Sequence, residues 1–190
     1  MCMISNEKAE GFLEVMKSRR SVRAYSGRML DRDALMKLLD AAILAPTAMH
    51  EEPWAFSVIQ DRDILKRISD LAKPIFFERL HRSGRAVDAG TDFEIFHGAG
   101  TLVVISSRHS GPFVDADCWL AAENLMLAAC AWGIGSCVIG SSLAALEIPE
   151  VKSTIGIPPE YRPIAPIVLG YPEGETPATS RRPPHILSWI

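Results

Sequence analysis

The stretch LMLAACAWGIGSCVIG, residues 125–140, is free of charged residues and is divided by Gly133 and Gly135. A membrane-spanning helix needs about 20 consecutive apolar residues. This stretch is shorter, and it follows directly on Glu123 and Asn124. The pattern therefore predicts a buried helix that ends at Gly133 and is followed by a buried strand.

Helical and strand patterns alternate on both sides of this stretch. The buried helix is predicted at 115–132, leading into a short strand SCVI. TLVVISS from Thr101 is continuously apolar, which predicts a central strand, whereas WAFSVIQ from Trp54 alternates as a half-buried strand does. IAPIVLG from Ile164 predicts another strand, in which Pro166 favours an edge or irregular position.

Apolar residues at helical spacing predict three more helices, at 7–18, 35–43 and 62–80. Residues 81–92 predict a mobile loop, and 170–184 predict a non-helical tail. Together these elements indicate an α+β fold, an α/β sandwich in which helices flank a mixed central sheet.

Length and composition favour a single domain in a reduced compartment. A chain of 190 residues that is 48% hydrophobic can bury one core, so we expect one domain over residues 1–190 with an extended tail at 171–190. The net charge of -3 gives nucleic acid no basic field to bind. The four cysteines form no C-x-x-C pair, and the N-terminus lacks an export signal. We expect a cytoplasmic protein with no bound metal and no membrane association.

A group of arginines carries the first chemical signal, in the sequence RRSVR at residues 19–23. The periodicity of the first helix places Phe12 and Met16 toward the core and predicts that Arg19 and Arg23 continue the same face. Guanidinium groups beside a hydroxyl and free amides suit a phosphate, although a solvated basic turn has the same sequence pattern. A second arginine pair at 181–182 favours the phosphate.

Several motifs in fixed order carry a resemblance that covers almost the whole chain. They are RRSVRAY, APTAMHEEPW, LAAENLMLAACAWGIGSC, VIGSS, LGYPEGETP and the late arginine pair. Together they resemble the nitroreductase family. The resemblance implies an FMN-dependent oxidoreductase, a homodimer with flavin at the subunit interface and a C-terminal tail that wraps the partner.

The resemblance also implies roles for individual residues. Arg19 and Ser21 would hold the FMN phosphate and ribityl chain, with Arg20 in the same group, and Arg23 would reach the ribityl or pyrimidine side. The late residues Arg181 and Arg182 would close over the phosphate. The segment Pro46, Thr47 and Ala48, with His50, would pack against the partner's flavin. Backbone amides would face flavin N5 and O4 in the loop formed by Val138, Ile139, Gly140 and Ser141.

Two positions depart from the family pattern, because His50 and Glu52 stand where the family commonly has Asn and Gln. A histidine can donate to the flavin or to a substrate, whereas a glutamate beside a reduced, anionic flavin is unfavourable unless it is neutralised or turned away. A solvated loop pair is the structural alternative. We assign no catalytic residue, and His50 is the only histidine suspected of a direct role.

The implied reaction is a ping-pong transfer of electrons from NADH or NADPH through flavin to a nitroaromatic, quinone or similar small acceptor. A flavin-binding protein without turnover, such as a sensor or storage protein, is the alternative from another class. Other enzyme signatures are incomplete. His50-Glu51-Glu52 lacks the P-C-x-x-C of zinc deaminases, and neither a G-x-S-x-G turn nor a G-x-G-x-x-G fingerprint is present.

Overall fold

The computed structural model describes residues 5–84 and 93–190. The helices in this part are α1 (Asn6–Ser18), α2 (Arg32–Ala42), α3 (Arg62–Arg82), α4 (Val114–Ala131), α5 (Leu143–Leu146) and α6 (Pro149–Thr154). The strands are β1 (Ala55–Ile59), β2 (Thr101–Ser107), β3 (Gly135–Val138) and β4 (Arg162–Gly170). Single 3-10 turns follow α2 and β3, at Ala48–His50 and Gly140–Ser142.

These bounds confirm the predicted helices and strands to within a few residues. Side chains of Ser5, Asp31 and Asp61 cap the first turns of α1, α2 and α3 by accepting hydrogen bonds from backbone amides. The chain leaves α4 through Gly133, whose φ of 70° is in the left-handed region that favours glycine at a helix end. Of the predicted loop at 81–92, residues 85–92 lie outside the described part.

The sheet has the strand order β1-β2-β4-β3, and β2 is buried along its whole length as predicted for a central strand. All three strand pairs are antiparallel, which differs from the predicted mixed sheet. The reason is topological: α4 carries the chain from β2 to β3 in the same direction, and β4 inserts between them antiparallel to both. Among the described residues, parallel pairing is limited to an isolated bridge between Ser21 and Ser136.

Of the edge or irregular position predicted for Pro166, the edge is wrong, because β4 lies inside the sheet between β2 and β3. An irregularity is present nearby, since the register with β2 shifts between Ala165 and Pro163. The proline is tolerated there for a local reason. Pairing with β3 ends where Val138 is opposite Ile167, one residue before Pro166. The carbonyl of Pro166 accepts from Ile139 N at 2.9 Å, so the missing amide of the proline falls on the side where β3 has already ended.

Two hydrophobic cores lie on opposite faces of the sheet. Val103 and Ile105 of β2 face the core formed with α2 and α4. Leu102 and Val104, the alternate residues, face the core formed with α3, α5 and α6. The sheet is therefore the middle layer of an α/β sandwich, as expected.

The first helix corrects one prediction. No residue of α1 is buried, and Phe12 and Met16 are about half exposed. The helix ends at Ser18, and Arg19 already has an extended ψ of 135°, so Arg23 does not continue the helical face. Periodicity located an apolar face correctly, but that face is not covered within one chain.

Large apolar side chains are exposed on three helices, of which α1 and α2 both pack on α4, and in the turn after α2. Below, these side chains are called the uncovered apolar face. Its members are Phe12, Leu13, Met16, Met36, Ile43, Leu44, Trp119 and Leu120. Exposed apolar patches of this kind mark interaction sites. None of the helices in residues 5–84 and 93–190 combines the length and apolarity that a membrane span requires.

A backbone seam joins residues 21–26 to the ends of β3 and β4. Val22 N donates to Ser136 O at 3.0 Å, and Ser26 N donates to Tyr171 O at 2.9 Å. The approach is so close that a Cβ added at Gly170 would lie 2.9 Å from the Tyr25 ring. Gly170 is thus required by packing, and the seam holds the N-terminal arginines beside the C-terminal half of the chain.

We therefore expect Gly170→Ala to lower the free energy of unfolding by about 1–3 kcal/mol, the usual effect of overpacking a core. The buried Tyr25 ring donates its hydroxyl to Val22 O at 2.7 Å and cannot swing aside freely. Gly11→Ala is the matched control, because an added Cβ meets nothing within 4 Å and glycine is unfavourable inside a helix. Urea unfolding measures the free energy of unfolding of both variants. Equal stability of the two would contradict a close contact between Gly170 and the Tyr25 ring.

Candidate functional site

Arginines at the end of α1 form the first part of the site. Arg19 Nε lies 3.5 Å from Glu123 Oε1 of α4, which leaves the remaining guanidinium donors available. Arg20 folds back, and its Nη1 donates to Lys17 O at 2.6 Å and to its neighbour's carbonyl, Arg19 O, at 2.8 Å. Arg20 therefore helps to close the helix end, whereas Arg19 is held by one contact to a half-exposed carboxylate.

These arginines line a basic cavity of about 430 Å³ together with the tail. The lining residues are Arg19, Arg20, Ser21, Arg23, Thr176, Pro177, Ala178, Thr179 and Arg181. Among the described residues, four guanidinium groups and no carboxylate line it, so the cavity favours an anion such as a phosphate. Arg181 Nη1 donates to Thr179 Oγ1 at 2.9 Å. The neighbouring Arg182 is exposed and is not part of this lining.

A second cavity of about 340 Å³ shares Arg23 with the first. Its other lining residues are Phe76, Phe93, Ile95, His97, Cys137, Val138, Ile139, Gly140 and Ser141. Aromatic and aliphatic side chains form one part of the wall, and the loop after β3 forms another. A planar, partly polar ring suits this lining better than a second phosphate does.

The loop after β3 presents backbone donors to this cavity. Ile139 N and Ser142 N are occupied, since they donate to Pro166 O and Ile139 O. Within the described residues, the N–H groups of Gly140 and Ser141 donate to no acceptor of the protein. Both residues line the cavity, so their amides are available to a ligand.

The charge of Arg23, which lines both cavities, acts on the pKa values of Cys137 and His97 in the second cavity. Burial raises the pKa of the Cys137 thiol, while Arg23, Ser21 and Arg19 act in the opposite direction. Burial lowers the pKa of His97, and the charge of Arg23 lowers it further. Cys137 is therefore a protonated, weakly nucleophilic thiol at neutral pH, and His97 is a neutral imidazole.

The structure brings Arg19, Arg20, Ser21, Arg23 and Arg181 together with the loop at 138–141. Sequence reasoning missed the aromatic side of the site, which consists of Phe76, Phe93, Ile95, His97 and Cys137. Periodicity does not distinguish the apolar members of this set, which are all except His97, from residues of the core. The φ of 55° at His97 is a sign of a special position, but only coordinates reveal it.

The segment Pro46–His50 lies elsewhere on the same chain. Ala48 N donates to the carboxylate of Asp117, in the first turn of α4, at 3.2 Å. The arginine group is near the other end of this helix, where Ser18 Oγ lies 3.5 Å from Cys130 Sγ. At 1.5 Å per residue, Asp117 lies about 20 Å along the axis from Cys130 and about 9 Å from Glu123, the partner of Arg19. No residue of the segment 46–50 lines either cavity of the same chain.

This segment is conformationally strained. Met49 and His50 have φ of 56° and Glu52 has φ of 43°, all in the left-handed region although none is glycine. Such conformations cost on the order of 1–3 kcal/mol each and are concentrated at ligand-binding sites. The side chain of Met49 is 87% exposed, so burial in its own chain does not stabilise the strained turn.

Other parts of the described chain offer less chemistry. A cavity of about 570 Å³ between α6 and the following loop is larger, but Lys152 is its only cation, and Lys152 Nζ donates to Pro159 O at 2.7 Å. Within the described ranges, no three His, Cys, Asp or Glu side chains converge as metal ligands would. The convergence of several polar groups, rather than size, identifies the paired cavities as the candidate site.

Fold and site together define an α+β protein with a basic cavity for a phosphate and an adjoining cavity for a ring. The sequence model described as the nitroreductase family matches residues 16–171. Since this match covers most of the 190 residues, the chain belongs to the nitroreductase family.

Individual relatives agree with this assignment. A protein of Archaeoglobus fulgidus named "Putative NADH dehydrogenase/NAD(P)H nitroreductase" is 32% identical over 166 residues, covering 87% of this chain and 88% of the relative. A Bacteroides fragilis nitroreductase solved with bound FMN is 28% identical, covers 94% of this chain and 97% of its own, and superposes with a TM-score of 0.79. An iodotyrosine deiodinase of Thermotoga neapolitana is 25% identical over 178 residues, 88% of this chain and 92% of the relative.

Proposed function

We propose that this protein is an FMN-dependent oxidoreductase that passes electrons from NADH or NADPH to a nitroaromatic, quinone or similar small acceptor. The observation that carries the proposal is the pair of joined cavities, one basic and one lined by aromatic side chains and free backbone amides. FMN has a matching division into a phosphate and a planar ring. The Bacteroides fragilis relative was solved with FMN bound, which supports the same ligand here.

The basic cavity fits the phosphate end. Arg19, Ser21 and Arg181 would bind its oxygens through charge-assisted and neutral hydrogen bonds. Arg20 would contribute charge, since its Nη1 donors are already directed at backbone carbonyls. Arg182, which is exposed one residue further along the tail, would approach only by closing over the bound group.

The second cavity fits the ring. The free amides of Gly140 and Ser141 would donate to polar atoms of the ring edge, and Val138 and Ile139 would pack beside them. Arg23, which lines both cavities, would lie between phosphate and ring and place a positive charge near the pyrimidine side. A cation there stabilises negative charge on the reduced ring.

The bound flavin would supply the redox chemistry, accepting electrons from the nicotinamide and passing them to the acceptor in a ping-pong sequence. The protein's own residues would position the ring, exclude competing reactions and stabilise charge. No side chain is required as a proton donor, so we assign no catalytic residue. Relatives named as NAD(P)H nitroreductase and iodotyrosine deiodinase support a broad range of acceptor chemistry on this scaffold.

A homodimer would complete the site. The uncovered apolar face of α1, α2 and α4 requires a partner, and a second copy of this chain would bury it. The same association would bring Pro46, Thr47, Ala48 and His50, which line neither cavity of their own chain, to the flavin of the partner. The flavin would then lie at the subunit interface.

The tail would strengthen this assembly. Residues 171–190 contain no helix, and apolar side chains at the C-terminus are exposed, including Leu187 at 92% and Trp189 at 89%. We propose that they wrap the partner, as an extension of one nitroreductase-like domain covering residues 1–190. A reduced, cytoplasmic location is consistent with the three unpaired cysteines in the described ranges.

The reaction is tested by mixing the purified yellow holoprotein anaerobically with NADH or NADPH and recording the visible flavin absorption. We expect one or both nicotinamides to bleach the band, and a nitroaromatic or quinone added afterwards to restore it. A flavin that stays oxidised with both donors would favour the sensor or storage alternative. A colourless protein that takes up no FMN would contradict flavin binding altogether.

The phosphate assignment predicts that Arg19→Ala weakens FMN binding by about ten- to a hundredfold, since a hydrogen bond to a charged group contributes about 1.5–3 kcal/mol. Arg108→Ala is the control, because Arg108 is exposed after β2 and lines neither cavity. Fluorescence titration of FMN into each apoprotein measures the effect. Equal affinities would remove Arg19 from the site.

The interfacial site predicts that FMN and dimerisation strengthen each other by the same coupling free energy. Sedimentation velocity over a dilution series should show apoprotein dissociating at higher concentrations than the FMN complex does. Truncation after Gly170 should weaken the dimer further. A monomer that retains stoichiometric flavin at the lowest concentration would exclude an interfacial site.

A further inference from the structure

Asp117 is a buried carboxylate with an unusual partner. Only 5% of the residue is exposed, although aspartate is rarely buried without a cation. Within residues 5–84 and 93–190, no Lys, Arg or His side chain forms an ion pair with it. Its two oxygens lie 3.3 and 3.2 Å from one donor, the amide of Ala48.

This donor belongs to the strained segment after α2. Ala45 and Pro53 are buried and fix the two ends, but most of the residues between them are exposed. In the described part of the chain, the bond from Ala48 to Asp117 is the only hydrogen bond that joins residues 46–52 to another element. It lies directly before Met49, where the left-handed residues begin.

We propose that Asp117 is a positioning residue for the flavin bound by the partner subunit. Its carboxylate fixes the amide of Ala48 and thereby holds the turn at 48–52 in the conformation that places Pro46–His50 against that flavin. The inference rests on the proposed interfacial site. A carboxylate suits the role because it accepts more strongly than a neutral oxygen does, which offsets part of the strain in the turn.

The first experiment tests the anchor. Hydrogen–deuterium exchange of the apoprotein should be faster across residues 46–52 in Asp117→Ala than in wild type, and intermediate in Asp117→Asn, which keeps an acceptor oxygen of similar shape. Asp115→Ala is the control, because Asp115 lies in the same helical turn but is exposed and paired with Arg162. Unchanged exchange at 46–52 in both Asp117 variants would overturn the proposal. The Asn variant provides this test if the Ala variant does not fold.

The second experiment tests the effect on flavin. Asp117→Ala should weaken FMN binding by up to about tenfold, because the bond that is lost holds the turn and acts on FMN only through the position of that turn, and it should change the visible circular dichroism of the bound flavin. Asp117→Asn should recover most of both. Faster exchange without any change in FMN affinity would overturn the positioning role while leaving FMN binding itself intact. A wild-type chain that binds no FMN would overturn both proposals.

Mixed dimers distinguish action on the partner's site from action on the same chain. A dimer of one Asp117→Ala chain and one Arg19→Ala chain should contain one site with both defects and one site with neither. We expect one FMN per mixed dimer to bind with wild-type affinity, although both parent homodimers bind weakly. If both sites of the mixed dimer are weak, Asp117 acts within its own chain and the proposal is wrong.

Discussion

The packing of the apolar helix α4 against the sheet is the constraint on which the rest of this structure depends. The helix is apolar around its circumference, so one layer of sheet cannot cover it. Strands β2, β3 and β4 and helix α2 pack on one side, while Trp119 and Leu120 stay exposed on the other. The same helix therefore organises the core and leaves apolar side chains of its own exposed.

The seam between residues 21–26 and the ends of β3 and β4 holds the two parts of the candidate site together. The hydrogen bond from Val22 N to Ser136 O holds the chain beside the arginines against β3, which leads into the loop at 138–141. The bond from Ser26 N to Tyr171 O holds the same segment at the end of β4. Gly135 and Gly170 make the contact possible, since a Cβ at either would lie about 2.9 Å from its neighbour. For this reason the arginines that follow α1 lie beside the backbone amides of the loop after β3.

Two groups of predicted site residues contact α4 at different places. Ala48 donates to Asp117 in the first turn of the helix, whereas Arg19 contacts Glu123 in its middle and Ser18 lies beside Cys130 near its end. The left-handed residues Met49 and His50 belong to an exposed segment. Strain of this kind is stable only when the surroundings hold it, and the buried carboxylate of Asp117 is the available contact.

The amino-acid sequence alone predicted α1 to α4, the four strands, the arginine group and the loop after β3, because these depend on local periodicity, capping and residue type, but the short helices α5 and α6 were not predicted. It placed the Gly133 helix end and the buried strand at Thr101 correctly. It was wrong about an edge position for Pro166 and about the covering of α1, because strand order and the burial of Phe12 depend on contacts between distant segments. Tertiary structure alone revealed His97 and Phe93 in the site, the separation of Ala48 from Arg19, and the bond between Asp117 and Ala48. Each of these is set by packing across the sheet or along α4, and a one-dimensional pattern contains no information about such distances.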